Sequence, residues 1–172
     1  MNAESISYCC TGSEWETMRQ LLRLEPPLGW TPGRLTKEEL QGAMESLTES
    51  GILTPEYDEM MADRLFAFLL TETCGAASAL TARAEGKQAL LSCGQSCAIL
   101  TEWAPSGVAI TPFQGPATAG EALQRAVKKL GCPVVIELLS RDGVLDSRQA
   151  DEPESAREAL QALHTRLCAY LA

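Results

Sequence analysis

Four short apolar segments in a row, separated by three turn signals, constrain this chain more than anything else in it. The segments are Ala77–Ala84, Gln88–Ser92, Ser96–Trp103 and Val108–Phe113. Between them lie Glu85-Gly86-Lys87, Gly94-Gln95 and Pro105-Ser106-Gly107. Connections this short join antiparallel neighbours, because a parallel crossover needs a dozen or more residues. The stretch therefore predicts an antiparallel meander. In its first strand Ala77, Ala79, Thr81 and Arg83 face one side, and Ser78, Leu80, Ala82 and Ala84 the other. Side chains that small suit a closely packed helix, or a strand at an edge.

Helical signals precede the meander. Ser13 to Leu24 predicts a first helix, with Ser13 and Glu16 spaced as a capping box and Trp15, Met18, Leu21 and Leu22 on one stripe. Pro26-Pro27 stop it. Leu28 to Leu35 reads as a loop around Trp30, which is either a plug in the core or an exposed anchor for a partner. Thr36 to Ser50 predicts a second helix, boxed by Thr36 and Glu39 and followed by Gly51. Thr54 then predicts the cap of a third, with Pro55 at its first position and Met60, Met61, Leu65, Phe66, Phe68 and Leu69 as its apolar side. A face of methionine and phenylalanine is ordinary core or an adaptable binding groove.

After the meander, Thr118 and Glu121 predict the boxed start of a fourth helix, ending at Gly131. Cys132 to Leu139 reads as a strand with both faces apolar. Asp142-Gly143 is a turn, and Leu145 to Glu154 is the most polar stretch, expected to be mobile. A final helix runs from about Pro153 to Tyr170, with Ala156, Leu160, Leu163, Leu167 and Tyr170 in register. The expected fold class is α+β. An N-terminal three-helix, winged-helix-like segment is followed by the meander, a helix, one further strand and a C-terminal helix. A single domain over residues 1–172 is expected, helical over 1–75 and sheet plus two helices over 76–172.

Charge narrows the function classes. The net charge is −9 and the sequence pI about 4.6. That repels phosphate backbones and anionic lipid, so neither nucleic acid nor membrane is an expected partner. The second helix, which would read DNA in a winged helix, carries Glu38, Glu39, Glu45 and Glu49 against Lys37. The seven cysteines are an odd number, and Asn2 to Cys10 has neither a basic start nor an apolar core. A cytoplasmic protein with reduced thiols is expected.

No phosphate-binding glycine loop, dinucleotide fingerprint, zinc-protease motif or serine elbow occurs. Cys93 and Cys97 flank a turn, but metal binding would need further ligands and the one histidine, His164, lies in the last helix. No cofactor or metal is expected, and catalysis is not favoured. Two function classes remain. One is a non-catalytic adaptor recognising another protein through Trp30, Met60, Met61 and Phe66. The other is a small-molecule binder or thiol-dependent enzyme with a pocket between sheet and helices, its reactive group Cys93 or Cys97. The last helix or an exposed sheet edge leaves room for a homodimer.

The order Leu35-Thr36-Lys37-Glu38-Glu39-Leu40, then Gly51-Ile52-Leu53, an apolar helix, strands and a capped helix resembles the EspG-type chaperones of type VII (ESX) secretion. The resemblance spans Thr36 to Leu130, about half the chain, and rests on order and spacing. It implies a cytosolic α+β protein that holds a helical export substrate without catalysis. Members are usually longer. No residue is carried over as a site.

Overall fold

The computed structural model describes residues 7–172, so the first six residues of the aperiodic opening stretch lie outside it. In chain order the elements are β1 (Tyr8–Cys10), α1 (Gly12–Leu21), α2 (Lys37–Glu49), β2 (Leu53–Glu56), β3 (Glu59–Ala62) and α3 (Arg64–Cys74). The meander follows as β4 (Ser78–Ala84), β5 (Lys87–Cys93), β6 (Ala98–Ala104) and β7 (Gly107–Phe113). The chain ends with α4 (Gly120–Leu130), β8 (Val134–Ser140), β9 (Gly143–Ala150) and α5 (Pro153–Tyr170).

Seven strands form one antiparallel sheet in the order β1-β7-β6-β5-β4-β8-β9. Period-two alternation divides its side chains into two cores. Leu80, Leu91, Leu100 and Ile136 pack under Leu123 of α4 and Leu160, Leu163 and Leu167 of α5. Ala79, Leu90, Ile99 and Ile110 pack under Trp15 and Met18 of α1 and Phe66, Leu69 and Leu70 of α3. Both faces of the middle strands are covered, which is why β4 to β6 lack the polar face of a half-exposed strand. β4 is interior, flanked by β5 and β8.

Three indoles hold α1 and the loop after it to the sheet. Trp30 stacks on Trp103 of β6, with ring centres 4.3 Å apart, and Trp15 meets Trp103 edge-on at 5.2 Å. Gly29 sits tightly against the sheet, with φ at +73°, and a Cβ there would lie 2.6 Å from Leu139 Cδ1. Gln88 Nε2 donates to the Gly29 carbonyl at 3.0 Å and to Thr81 Oγ1 at 2.8 Å. Gly29→Ala therefore combines a left-handed backbone with a clash. It should lower stability by more than about 1 kcal/mol in chemical denaturation; a neutral result would mean that the loop does not seat on β4 and β8.

Several expectations need correction. The predicted third helix divides in two. Thr54 and Pro55 lie on β2, Met60 and Met61 on β3, and the helix starts only at Arg64. The run Glu56-Tyr57-Asp58-Glu59 offers nothing to a buried helix face, whereas Phe66, Leu69, Leu70 and Thr73 recur at helical spacing and are buried. Asp63 is the true cap, accepting the Phe66 N–H at 2.8 Å. The N-terminal part has its three helices, with a hairpin between the second and third. The first helix is capped by Thr11 with Glu14, not by Ser13 with Glu16. Glu16 instead turns inward to Arg19, at 2.6 Å. α4 begins without a side-chain cap, and Thr118 braces the turn from Gly115. The polar stretch after Gly143 is strand β9, so two strands follow α4 rather than one. Its polarity is that of an edge strand touching α5 on one face only. β1, in the stretch read as aperiodic, is held by pairing with β7.

Candidate partner-binding site

Among the described residues the β2–β3 hairpin pairs only with itself. Thr54 stands opposite Met61, Pro55 opposite Met60, and Glu56 opposite Glu59. Both strands are edges, so the missing N–H of Pro55 breaks no interior ladder. The base is fixed by buried Leu53 and by the Asp63 N–H, which donates to the Ile52 carbonyl at 2.7 Å. Beyond that base neither face is covered. Met60 and Met61 point to opposite faces by strand alternation, yet they are 39% and 47% exposed. The turn is Tyr57-Asp58. Tyr57 is fully exposed and has φ at +56°, where glycine or asparagine is the usual occupant. A non-glycine residue costs about 1 kcal/mol there. A two-stranded hairpin is at best marginally stable alone, so this arm owes its placement to its base and to the packing of β2 on α2.

The helix after the arm exposes further apolar side chains. Phe66, Leu69 and Leu70 turn into the core, while Leu65 and Phe68, one turn apart on the other side, are 41% and 42% exposed. Tyr8 meets Phe66 edge-on, with ring centres 5.5 Å apart. Burial, together with the Asp63 carboxylate beside it, pushes the Tyr8 phenol up from its ordinary value. Along the segment from Glu49 to Phe68 the exposed acids Glu49, Glu56, Asp58, Glu59 and Asp63 stand against one cation, Arg64. The segment thus exposes apolar and acidic side chains together.

Of the four residues singled out by sequence, the structure puts Met60 and Met61 together on the exposed arm. Trp30 is half-buried in the indole stack and lines a pocket of about 400 Å³ with Arg83, Lys87 and Gln88. Phe66 has no exposed surface. The exposed apolar residues that sequence reasoning did not single out are Tyr57, Leu65 and Phe68. Leu65 and Phe68 were legible as apolar, but a helix taken to start at Thr54 hides which side faces out.

The two thiols that flank the β5–β6 turn are shifted away from the thiolate form. All seven cysteines are unpaired. Burial pushes Cys93 up to about 12, and Cys97 is raised by burial and by the Glu72 carboxylate. His164 Nε2 lies 2.7 Å from the Pro116 carbonyl oxygen, a bond that holds the turn before α4. Among the described residues no three His, Cys, Asp or Glu side chains gather where they could hold a metal ion. Among the same residues no helix is long and apolar enough to cross a membrane. A groove of about 770 Å³ runs between α4 and α5, floored by Val127, Ala156 and Leu160.

The architecture defines an α+β protein whose seven-stranded antiparallel sheet is covered by helices on both faces. No protein-family model matches the sequence, and neither does any curated protein. The fold is similar to that of EspG5, the type VII secretion system chaperone of Mycobacterium tuberculosis, solved in complex with the PE25-PPE41 dimer. The TM-score is 0.53 at 8% identity, over 73% of this chain and 52% of that one, so this chain spans about half the length of its neighbour. The resemblance to EspG-type chaperones that the sequence suggested is thus present in the fold.

Proposed function

We propose that this chain is a non-catalytic, chaperone-like adaptor of the cytoplasm, acting as a single domain that holds another protein. The observation that carries the reading is the β2–β3 arm. Its tip, Tyr57, and both its faces, Met60 and Met61, are exposed, and the helix after it exposes Leu65 and Phe68. Water is a poor environment for so much apolar surface, and exposed apolar patches mark interaction sites. Methionine side chains adapt to partners of different shape. The left-handed tyrosine at the tip stores strain that a turn of glycine would avoid, which supports a use for the ring itself.

The partner segment is a helix with an apolar stripe bordered by Lys or Arg, complementary to the acids between Glu49 and Asp63. An export substrate of a secretion pathway is the reading that the EspG-type likeness favours. Trp30, half-buried, serves as a secondary contact. Nucleic acid is not among the expected partners.

The test compares wild type with a Met60→Asp/Met61→Asp double variant as bait in the native lysate. Wild type should recover one or a few proteins at stoichiometric levels, in a salt-sensitive manner. The double variant should lose at least about nine-tenths of that recovery with an unchanged thermal midpoint, because exposed substitutions usually move stability by under about 0.5 kcal/mol. Equal recovery by both baits would remove the arm from the site, and no recovery by either would remove the adaptor reading.

A further inference from the structure

β9 is the outermost strand on one side of the sheet and, at eight residues, longer than any other strand described. Its inner edge pairs with β8 from Ser140 and Gly143 to Val134 and Ala150. Among the described residues its outer edge pairs with nothing. The opposite border is the three-residue β1, too short to accept much. Proteins usually blunt a long edge with lysine or proline, because unpaired N–H and C=O groups invite another strand. β9 contains neither residue, and Val144 and Leu145 are 58% and 40% exposed. The one irregularity in the ladder lies between Leu138 and Leu139, at the Val144–Leu145 end, and Asp146 to Ala150 keep regular register.

The charge pattern of this edge says what covers it. Asp146 precedes Ser147 by one residue and Arg148 follows it by one. Two copies of the strand laid antiparallel about a two-fold axis at Ser147 set Asp146 of each opposite Arg148 of the other. Opposite charges directly across an antiparallel pair stabilise it, and one such contact implies its symmetric twin. The same register sets Val144 opposite Ala150 and Leu145 opposite Gln149. Asp146 already gathers cations on the α5 side of the sheet, with Arg166 at 2.8 Å and Arg148 at 3.7 Å.

We propose that a second copy of this chain docks along β9, antiparallel and centred on Ser147, so that the two sheets run into one. This interface lies at the edge strand and does not involve the arm, so it stands or falls separately from the partner-binding reading.

Sedimentation velocity across a concentration series tests it. Wild type should be dimeric at tens of micromolar. Asp146→Arg and Arg148→Asp should each weaken the dimer at least tenfold, since each sets like charges opposite one another twice. An equimolar mixture of the two variants should restore a dimer, because every cross-strand pair is then of opposite sign. As a second readout, the thiols introduced by Ser147→Cys should cross-link under mild oxidation, with the disulfide mapped to position 147 by peptide mass. A monomeric wild type, a dimer indifferent to both charge changes, or a mixture that stays monomeric overturns the proposal. So does a wild-type monomer that binds an added extended peptide along β9, which would give the edge to a different protein.

Discussion

Trp15→Ala is expected to lower stability by about 3–5 kcal/mol, the range for removing a large aromatic side chain from a packed core. Against a typical total of about 5–15 kcal/mol, that is enough to leave the protein barely folded. Trp15 is the link between layers. It projects from α1, is 1% exposed, and meets both Trp30 and Trp103 edge-on. Neither neighbour can fill the space it leaves, because the two are already stacked on each other with their planes 14° apart. Trp15→Phe should cost much less. It keeps a ring in place, and the indole N–H that it deletes has no hydrogen-bond partner. Trp30→Ala should fall between the two, since that ring is already partly in water. Urea denaturation of the three variants gives the order directly. A loss below about 1 kcal/mol for Trp15→Ala would show that the indole cluster does not secure α1 to the sheet.

The second large effect concerns pH. Burial is the main cause that pushes the Cys10, Cys74 and Cys93 thiols from 9.0 up to about 12. In the unfolded chain the same thiols ionise near their ordinary value. Between about pH 9 and 12 the unfolded state therefore binds fewer protons than the native state, and stability falls as pH rises. Below pH 9 the contribution is fully present. Above it each thiol removes about 1.4 kcal/mol per pH unit, so the three together remove about 4 kcal/mol per unit. A protein with about 5–12 kcal/mol of stability should unfold between about pH 10 and 12 in reducing buffer. Cys74→Ala should flatten the slope by about one third. Denaturation midpoints measured from pH 8 to 11 decide the matter, and a flat profile would contradict the burial of these thiols.

Much of the sheet was legible because turns are local. Glu85-Gly86-Lys87 and Pro105-Ser106-Gly107 mark the meander without any knowledge of what packs on it. The last helix was equally plain, since Ala156, Leu160, Leu163 and Leu167 keep a strict stripe behind Pro153. The arm was illegible for a specific reason. Thr54-Pro55 imitates the start of a helix, and the left-handed Tyr57 that makes the hairpin turn has no signature in a tyrosine codon. The same reading hid that Phe66 is buried while Phe68 is exposed. β1 and β9 were missed because long-range partners decide them. Tyr8–Cys10 is a strand only beside Val108–Ile110, and the polar run after Gly143 only beside β8.

The neighbour that β4 takes on its second side has a consequence for synthesis. Leu80 and Ala82 stand opposite Leu138 and Ile136, which are made last among the strands except for β9. While the ribosome is still adding α4, the meander presents an apolar border with free amide and carbonyl groups, the kind of border on which nascent chains aggregate. Emergence of β8 from the ribosome closes it. A truncation that stops before Val134 should accordingly enter inclusion bodies, whereas the whole chain stays in the supernatant.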